Sequence, residues 1–364
     1  MPFALVALLI GLQDNVPPPD ADIERAIKAG SDALLARSPG VLSGEQAAHY
    51  GEGYEYDALI LYTLVHSGIS LEDETMKRLV AKVESAPFIR TYQVALTAAA
   101  LAAIHPWKYQ GRLAQCAQYL VDWQCDNGQW AYGDKYDPEA KPAQGANRTI
   151  AKIQVKRLKK LGLTVGDNSN TQYAALGLKA CSTGGCEIDP ATLIKAIEWW
   201  EKSQQKDGGW GYDTKGAHDK SAGTYGSMTA GAVSSLIMLK QLRNSDPKVA
   251  SSILRGFTWL ADNFTVEKNP QSPPGVEDWR YYYLYAMERA GDLFPTEKIG
   301  KRAWYAIGAA HLIKTQRKDG MWIAVNNRLT VADTCFALLF LQRVARRAPV
   351  ATGGKTPEPP PSEK

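Results

Sequence analysis

Residues 195–210 read KAIEWWEKSQQKDGGW, and the end of this stretch recurs twice elsewhere in the chain. Glutamine, glycine and tryptophan keep the same spacing in residues 124–130, 204–210 and 316–322, and an apolar or aromatic pair stands five and four residues before each glutamine. Such a glycine can end a helix with a positive φ, the glutamine amide can bond backbone groups exposed at the next helix end, and the tryptophan can cover the junction. The recurrence therefore predicts a repeated helix-to-helix junction.

A fourth, degenerate copy starts at Arg255, where Phe264 replaces the glutamine. Two kinds of helical pattern alternate between the junctions. Amphipathic patterns cover residues 23–37, 73–83, 111–124, 191–204, 249–263 and 297–316, and nearly uncharged patterns cover 56–65, 92–104, 171–181, 227–239, 279–290 and 330–344. A helix that is apolar on all sides is buried, whereas one with an apolar stripe lies at the surface.

Six patterns of each kind, in strict alternation, predict an all-α fold: an (α/α)6 toroid, a double ring of six inner and six outer helices. No convincing run of period-two strands is present. Residues 131–164 form the one long insertion, and the basic stretch 151–160 within it is expected to be a helix with a solvated surface face, or one that contacts an anionic surface.

The composition and the two ends of the chain indicate which partners, location and domain bounds to expect. Of the 364 residues, 42 are basic and 38 are acidic, with no long basic run, so nucleic acid is not an expected partner. The apolar stretch 2–12 is too short for a transmembrane span and fits a signal peptide over residues 1–14, which predicts export to the periplasm or the exterior. We expect the toroid domain over residues 20–345 and a Pro-rich disordered tail over 346–364.

Five cysteines, an odd and sparse number, exclude a disulfide framework. Cys181 and Cys186 bracket a short loop that a disulfide could close if the protein is exported, and two free thiols are an equal alternative.

The three repeats resemble the QW motif of the prenyltransferase and squalene-hopene cyclase repeat superfamily. The middle copy matches that motif almost throughout, from Lys195-Ala196 through Trp199-Trp200 to Gln204, Gly208 and Trp210. The resemblance spans about residues 20–345 and implies a terpenoid cyclase-like α/α toroid. Because squalene cyclases carry two toroids and this chain has one, it implies a divergent, single-toroid member.

The resemblance also implies a ligand cavity inside the inner ring, facing the starts of the inner helices. Tyrosines and amides dominate those starts. The candidate ligand-binding residues are Tyr54, Tyr56, Tyr92, Gln93, Asn170, Tyr173, Tyr225, Trp279, Tyr282 and Arg328. Side chains of this type predict an aromatic pocket with a polar, solvent-accessible rim, suited to an apolar small molecule or a polymer.

Acidic residues at the same helix starts are the candidate catalytic groups, and we identify Asp57, Asp278 and Asp333 as the only ones. Class II cyclases protonate an alkene with the middle acid of Asp-x-Asp-Asp-Thr, and Ala332 stands at that position here, with Asp333 after it. Prenyltransferase β subunits hold zinc with Asp-x-Cys and a later histidine. Asp333 and Cys335 match the first pair, but no histidine follows, so neither a metal nor a cofactor is expected.

Three functions stay open at this point. The first is a divergent cyclase-like toroid that binds an apolar or isoprenoid-like ligand in a central aromatic cavity. The second is an exported enzyme acting on glycans with two inner-ring carboxylates. The third is a protein-interaction scaffold, for which an apolar patch on the outer surface would be the sign.

Overall fold

Twelve α-helices alternate between two rings in the computed structural model, which describes residues 16–42, 54–138, 152–212, 223–273, 279–324 and 330–344. The outer helices are α1 (Asp20–Leu42), α3 (Glu74–Ser85), α5 (Gln110–Asp122), α7 (Pro190–Ser203), α9 (Ser251–Asp262) and α11 (Trp304–Thr315). The inner helices are α2 (Tyr54–His66), α4 (Thr91–Ile104), α6 (Asn168–Thr183), α8 (Gly226–Leu242), α10 (Arg280–Leu293) and α12 (Thr330–Leu341). A 3-10 turn, Pro247–Val249, precedes α9.

The inner helices form a closed ring. Each packs against the inner helix before and after it, and α12 packs back against α2. The helices α4 and α8 are buried on nearly all sides, whereas the outer helix α9 buries only one face. The predicted (α/α)6 toroid is therefore confirmed, because helices without a polar face must take the inner positions.

The repeat glutamines join neighbouring outer helices. Each side-chain Nε2 donates one hydrogen bond to the carbonyl of its own repeat glycine and one to a carbonyl in the first turns of the next outer helix. These bonds run from Gln124 to Gly128 (3.2 Å) and Thr192 (2.9 Å), from Gln204 to Gly208 (2.8 Å) and Ser252 (2.8 Å), and from Gln316 to Gly320 (2.9 Å) and Ala26 (2.9 Å). The last pair links α11 to α1 and so closes the outer ring.

The repeat tryptophans fix the inner ring to the outer one. Each indole N–H donates to a carbonyl near the end of its own outer helix, and each main-chain N–H donates to a threonine hydroxyl on the next inner helix. The indole partners of Trp130, Trp210 and Trp322 are Leu120 (2.6 Å), Trp200 (2.8 Å) and Leu312 (2.8 Å), and the threonines are Thr171, Thr229 and Thr334 (3.1 Å each). All three indoles are fully buried. One short motif thus ties together two outer helices and one inner helix.

The basic stretch 151–160 is not a helix, so that expectation is wrong for its described part. Residues Ile153–Val155 form β1, which pairs in parallel with β2, Cys186–Ile188. The main-chain N–H groups of Leu158 and Lys159 then donate to Oδ1 of the buried Asp122, at 2.8 and 3.0 Å. The backbone hydrogen bonds that a helix would make internally are made instead with β2 and with the end of α5. Charge and helix propensity therefore do not determine the secondary structure of this segment.

The five cysteines are buried free thiols, Cys181 and Cys186 included. Residues 1–14 and 346–364, assigned to a signal peptide and a tail, lie outside the described residues, and export stays a prediction. Among the described helices, none is both long enough and apolar enough to cross a membrane.

Candidate functional site in the ring interior

Aromatic side chains from four inner helices meet in the middle of the ring. The ring centroids of Tyr92 on α4 and Tyr173 on α6 are 4.3 Å apart, and Tyr173 lies 6.2 Å from Tyr282 on α10 with the planes nearly parallel. Phe336 on α12 lies 5.5 Å from both Tyr282 and Tyr285. Because α8 separates α6 from α10 in the ring, the contact between Tyr173 and Tyr282 crosses the interior. We call these five residues the aromatic cluster.

The aromatic cluster extends to the surface at the end of the toroid where the inner helices begin. Trp279, which is 40% exposed, meets the ring of Tyr282 edge to face at 6.0 Å. Tyr132, which is 50% exposed, stacks on the half-buried Tyr92 at 6.2 Å. A continuous path of rings therefore leads from solvent into the interior.

The tyrosines of the aromatic cluster are neutral hydrogen-bond donors. Burial raises the pKa of Tyr92 and Tyr173 well above the ordinary phenol value, and it also raises the pKa of Tyr282. The hydroxyl of Tyr282 has no hydrogen-bond partner among the described residues. The interior thus combines apolar ring faces with an unused polar group, as ligand pockets do.

Other predicted ligand residues lie at helix starts with defined local roles. Gln93 accepts a hydrogen bond from the main-chain N–H of Ile89 (3.3 Å) and donates to Thr97 (3.4 Å), so its amide serves the start of α4. Tyr225 is buried and precedes α8, and Tyr56 is half-buried on α2. Tyr54 begins α2, but its side chain is outside what the structure describes. Arg328 also lies outside the described residues.

Asp167, a buried carboxylate that the sequence analysis overlooked, caps α6. It accepts hydrogen bonds from the main-chain N–H of Asn170 (2.8 Å), the Asn170 amide (2.7 Å) and the Ser169 hydroxyl (2.5 Å). After burial, its charge is among the causes that raise the pKa of Tyr92 and Tyr282, so it lies beside the aromatic cluster. The statement that Asp57, Asp278 and Asp333 are the only acids at inner-helix starts is therefore wrong. An aspartate directly before a helix is an N-cap signal, and reading it as such would have found this residue.

The three predicted catalytic acids are placed differently from one another. Oδ2 of the buried Asp57 forms an ion pair at 2.7 Å with Lys82 on the outer helix α3. Oδ2 of the buried Asp333 accepts a hydrogen bond from the main-chain N–H of Ala324 at 2.8 Å, which ties the segment after Trp322 to the start of α12. Asp278 lies outside the described residues. The carboxylates of Asp57 and Asp333 thus serve separate contacts, and their catalytic role stays a prediction.

The ion pair of Asp57 leads to a prediction for the pH dependence of stability. Burial raises the pKa of Asp57 above its ordinary value of 3.8, and Lys82 only partly opposes that shift. The folded protein therefore holds this proton more tightly than the unfolded chain, so this carboxyl's contribution to stability falls as pH rises from 3.8 through the folded pKa. We expect Asp57→Asn to remove this fall, measured as the free energy of unfolding in urea across that pH range.

Asp126→Asn is the matched control with the opposite sign. A hydrogen bond from Lys160 lowers the pKa of Asp126, so its contribution is present above the unfolded pKa and lost in acid. The free energy of unfolding of the wild type minus that of Asp57→Asn should fall as the pH rises. A difference that rises with pH instead would contradict the assignment.

No group of three His, Cys, Asp or Glu side chains suited to a metal ion occurs in the part of the chain that the structure describes. Cys335, which follows Asp333 by two residues, is fully buried, and burial raises the pKa of its thiol to about 12 despite a hydrogen bond with Thr63. A protonated thiol of this kind is a poor metal ligand.

A separate groove of about 550 Å³, which we call the outer groove, is lined by α1, by the start of α11 and by the end of α12. Ile23, Ile27 and Tyr305 line its apolar part. Arg343 lies at its edge, with Nε 3.0 Å from Asp292 Oδ2 and Nη1 3.3 Å from Glu297 Oε2. This groove is distinct from the ring interior and offers a second concave surface.

Comparison with known proteins agrees with the toroid fold. Residues 165–301 match the family model of the squalene-hopene cyclase C-terminal domain. A type II terpene cyclase from Scytonema, solved in complex with its substrate geranylgeranyl dihydroxybenzoate, superimposes with a TM-score of 0.50 at 11% identity over 88% of this chain and 98% of that chain. Among curated proteins, no sequence relative matches.

Fold and interior together define an α/α toroid with an aromatic core, built from QW-type repeats. Residues 165–301 are similar to the C-terminal domain of squalene-hopene cyclases, and the described chain shares the toroid fold of a type II terpene cyclase.

Proposed function

We propose that the aromatic cluster binds an apolar, isoprenoid-like ligand inside the ring. The observation that carries this proposal is the path of ring contacts from the exposed Trp279 through Tyr282 to Tyr173 and Phe336. Flat aromatic faces offer large apolar contact area to an unsaturated chain and lose little conformational entropy when they bind it.

The structural neighbour gives the ligand class independent support. That cyclase binds a molecule with a geranylgeranyl chain, and its toroid shares the fold of this chain. Toroids of this type place their cavity in the inner ring, where the aromatic cluster of this protein lies. The likeness in fold does not carry the reaction with it.

Binding is the function proposed here, with no cyclisation by the family's usual acid. Ala332 stands where class II cyclases carry that acid, and a methyl group cannot donate a proton. The adjacent Asp333 uses Oδ2 to hold the main chain at Ala324. Protonating an alkene needs a strongly activated carboxylic acid, and this pair of positions supplies none.

The test is a titration of delipidated protein with geranylgeraniol, followed by isothermal calorimetry and by intrinsic fluorescence. We expect saturable binding to the wild type, weakened about fivefold or more in Tyr173→Leu, because a stacked aromatic contact contributes on the order of 1 kcal/mol. Circular dichroism and the melting temperature of the variant check that the toroid is intact.

Tyr305→Leu is the matched control, since Tyr305 lies in the outer groove and packs on Phe340 away from the interior. It should leave the affinity unchanged. Loss of binding in Tyr305→Leu but not in Tyr173→Leu would move the ligand to the outer groove and contradict the proposal. The absence of binding to the wild type would also contradict it.

A further inference from the structure

One cation is buried in the ring interior. Arg289, on α10, is only 2% exposed. None of its three guanidinium nitrogens forms a hydrogen bond of standard geometry with a described residue, and the phenol of Tyr285 is its near neighbour. A buried charge without an acceptor is costly, so a guanidinium in such a place needs an explanation beyond packing.

The surroundings of Arg289 are tyrosines. Its Cζ atom lies 4.5 Å from the ring centroid of Tyr285, a cation–π distance. Tyr285, Tyr173, Tyr282 and Tyr62 all lie near the guanidinium group of Arg289. Arginine is not deprotonated in proteins, even when it is buried. The charge is therefore retained, and the aromatic cluster lies directly beside it.

The only acid next to Arg289 in sequence does not neutralise it. Glu288 is fully buried, its charge acts on Tyr62 and Tyr285, and no guanidinium nitrogen of Arg289 hydrogen-bonds to it. Successive residues of a helix point in different directions, which separates the two charges. Three donor nitrogens and the unused hydroxyl of Tyr282 thus lie close to the ring of Tyr285.

We propose that Arg289 anchors the single oxyanion head group, a carboxylate or a phosphate monoester, of the apolar ligand in the ring interior. This inference rests on the proposed function and specifies its ligand as amphipathic and anionic. A planar guanidinium presents parallel N–H donors that match two oxygens of one oxyanion, and phenol hydroxyls can complete the shell. One cation balances one negative charge, so a carboxylate, or a phosphate monoester held as its monoanion, fits best.

The position of Arg289 along α10 sets the orientation of the ligand. It follows Tyr282 by seven residues, which at 1.5 Å per residue places it about 10 Å deeper than the start of the aromatic cluster. The head group therefore enters first, and the apolar chain lies against the rings toward the rim at Trp279. Buried aromatic surface supplies affinity, and Arg289 selects the head.

The experiment compares matched ligands on the delipidated full-length protein: geranylgeranoic acid, geranylgeranyl phosphate and the neutral geranylgeraniol. We expect at least one of the two anions to bind about tenfold or more tightly than the alcohol, since charge-assisted hydrogen bonds in a buried site are strong. The ranking of acid against phosphate identifies the head group. In Arg289→Met, the alcohol affinity should stay within about threefold of the wild type, and the preference for the anion should vanish.

Arg302→Met is the matched control, because Arg302 lies over the ring of Phe264 on the exposed surface. Arg302→Met should change neither the affinity for the anionic ligands nor the affinity for the alcohol. We also expect Arg289→Met to raise the melting temperature of the delipidated protein, because an apolar side chain replaces a buried cation without an acceptor.

The possible outcomes separate the two proposals. Equal binding of acid, phosphate and alcohol to the wild type overturns the anion anchor and leaves the proposed function standing. Binding of none overturns both. A lower melting temperature in Arg289→Met with an unchanged preference for the anion assigns Arg289 a structural role and overturns the anchor. The comparison of ligands on the wild type needs no variant, so it holds even if Arg289→Met does not fold.

Discussion

Trp210→Ala is expected to lower the free energy of unfolding by about 4 kcal/mol, the range found when a buried tryptophan is truncated in a core. The indole of Trp210 is fully buried, and its N–H donates to the carbonyl of Trp200 at 2.8 Å. A Cβ atom placed on Gly256 would lie 3.0 Å from the indole ring, so helix α9 packs directly against it. Truncation removes the packing and the hydrogen bond together, and leaves a cavity at a junction of three helices.

Two companion variants divide this effect into its parts. Trp210→Phe keeps an aromatic ring but loses the N–H bond, and we expect it to cost less than the alanine variant. Trp279→Ala removes a tryptophan that is 40% exposed, and we expect a loss below about 1 kcal/mol. Urea denaturation measures all three. Equal losses for Trp210→Ala and Trp279→Ala would show that the repeat junction does not stabilise the toroid.

Gly320→Ala is expected to destabilise the protein by about 3 kcal/mol, through the contact that closes the ring. Gly320 has a φ of 81°, and an added Cβ would lie 2.4 Å from the carbonyl oxygen of Ala29 on α1. Two costs therefore combine: the left-handed backbone conformation, which side chains disfavour, and a clash with main-chain atoms that cannot rotate away. Relief requires α1 to move from its place beside α11.

Gly68→Ala is the control that isolates the first cost. Gly68 has a φ of 75°, close to that of Gly320, and an added Cβ there meets no atom within 4 Å. We expect a loss of about 1 kcal/mol from the conformation alone. Urea denaturation of both variants gives the difference, which measures the clash. If the two variants lose the same stability, the close approach at the ring closure has no energetic consequence.

The repeat explains why so much of the fold could be predicted. Trp130, Trp210 and Trp322 keep one spacing in the sequence and make one set of bonds in the structure, so a local pattern reports a long-range arrangement. The alternation of uncharged and amphipathic helices assigns each to the inner or the outer ring, since burial follows from the number of polar faces.

The segment around β1 could not be predicted in the same way. Its sequence is basic and free of breakers, which favours a helix, but Leu158 and Lys159 donate to the carboxylate of Asp122, which is 36 residues away for Leu158. Lys152 pairs with Glu187 at 2.6 Å, and Lys160 pairs with Asp126 at 2.9 Å. Partners this distant in sequence leave no local signal.

The candidate site was predicted only in part. Tyr92, Tyr173 and Tyr282 were identified by their positions at helix starts, and these three side chains do meet in the interior. Tyr285 and Arg289 lie one and two turns further along α10, beyond the helix starts from which the candidate ligand-binding residues were taken. Arg289 and its neighbour Glu288 are charged residues in the buried part of α10, and a charge in a buried helix is itself a signal.

The sequence by itself determined the number, order and ring assignment of the helices, because spacing and apolar periodicity are local properties that repeat. Only the tertiary structure decided which side chains share the interior. Whether Tyr173 and Tyr282 touch depends on two helices that α8 separates, and whether Arg289 finds an acceptor depends on all the helices around it. Such contacts arise from closing the ring, a property of the whole chain that no single helix encodes.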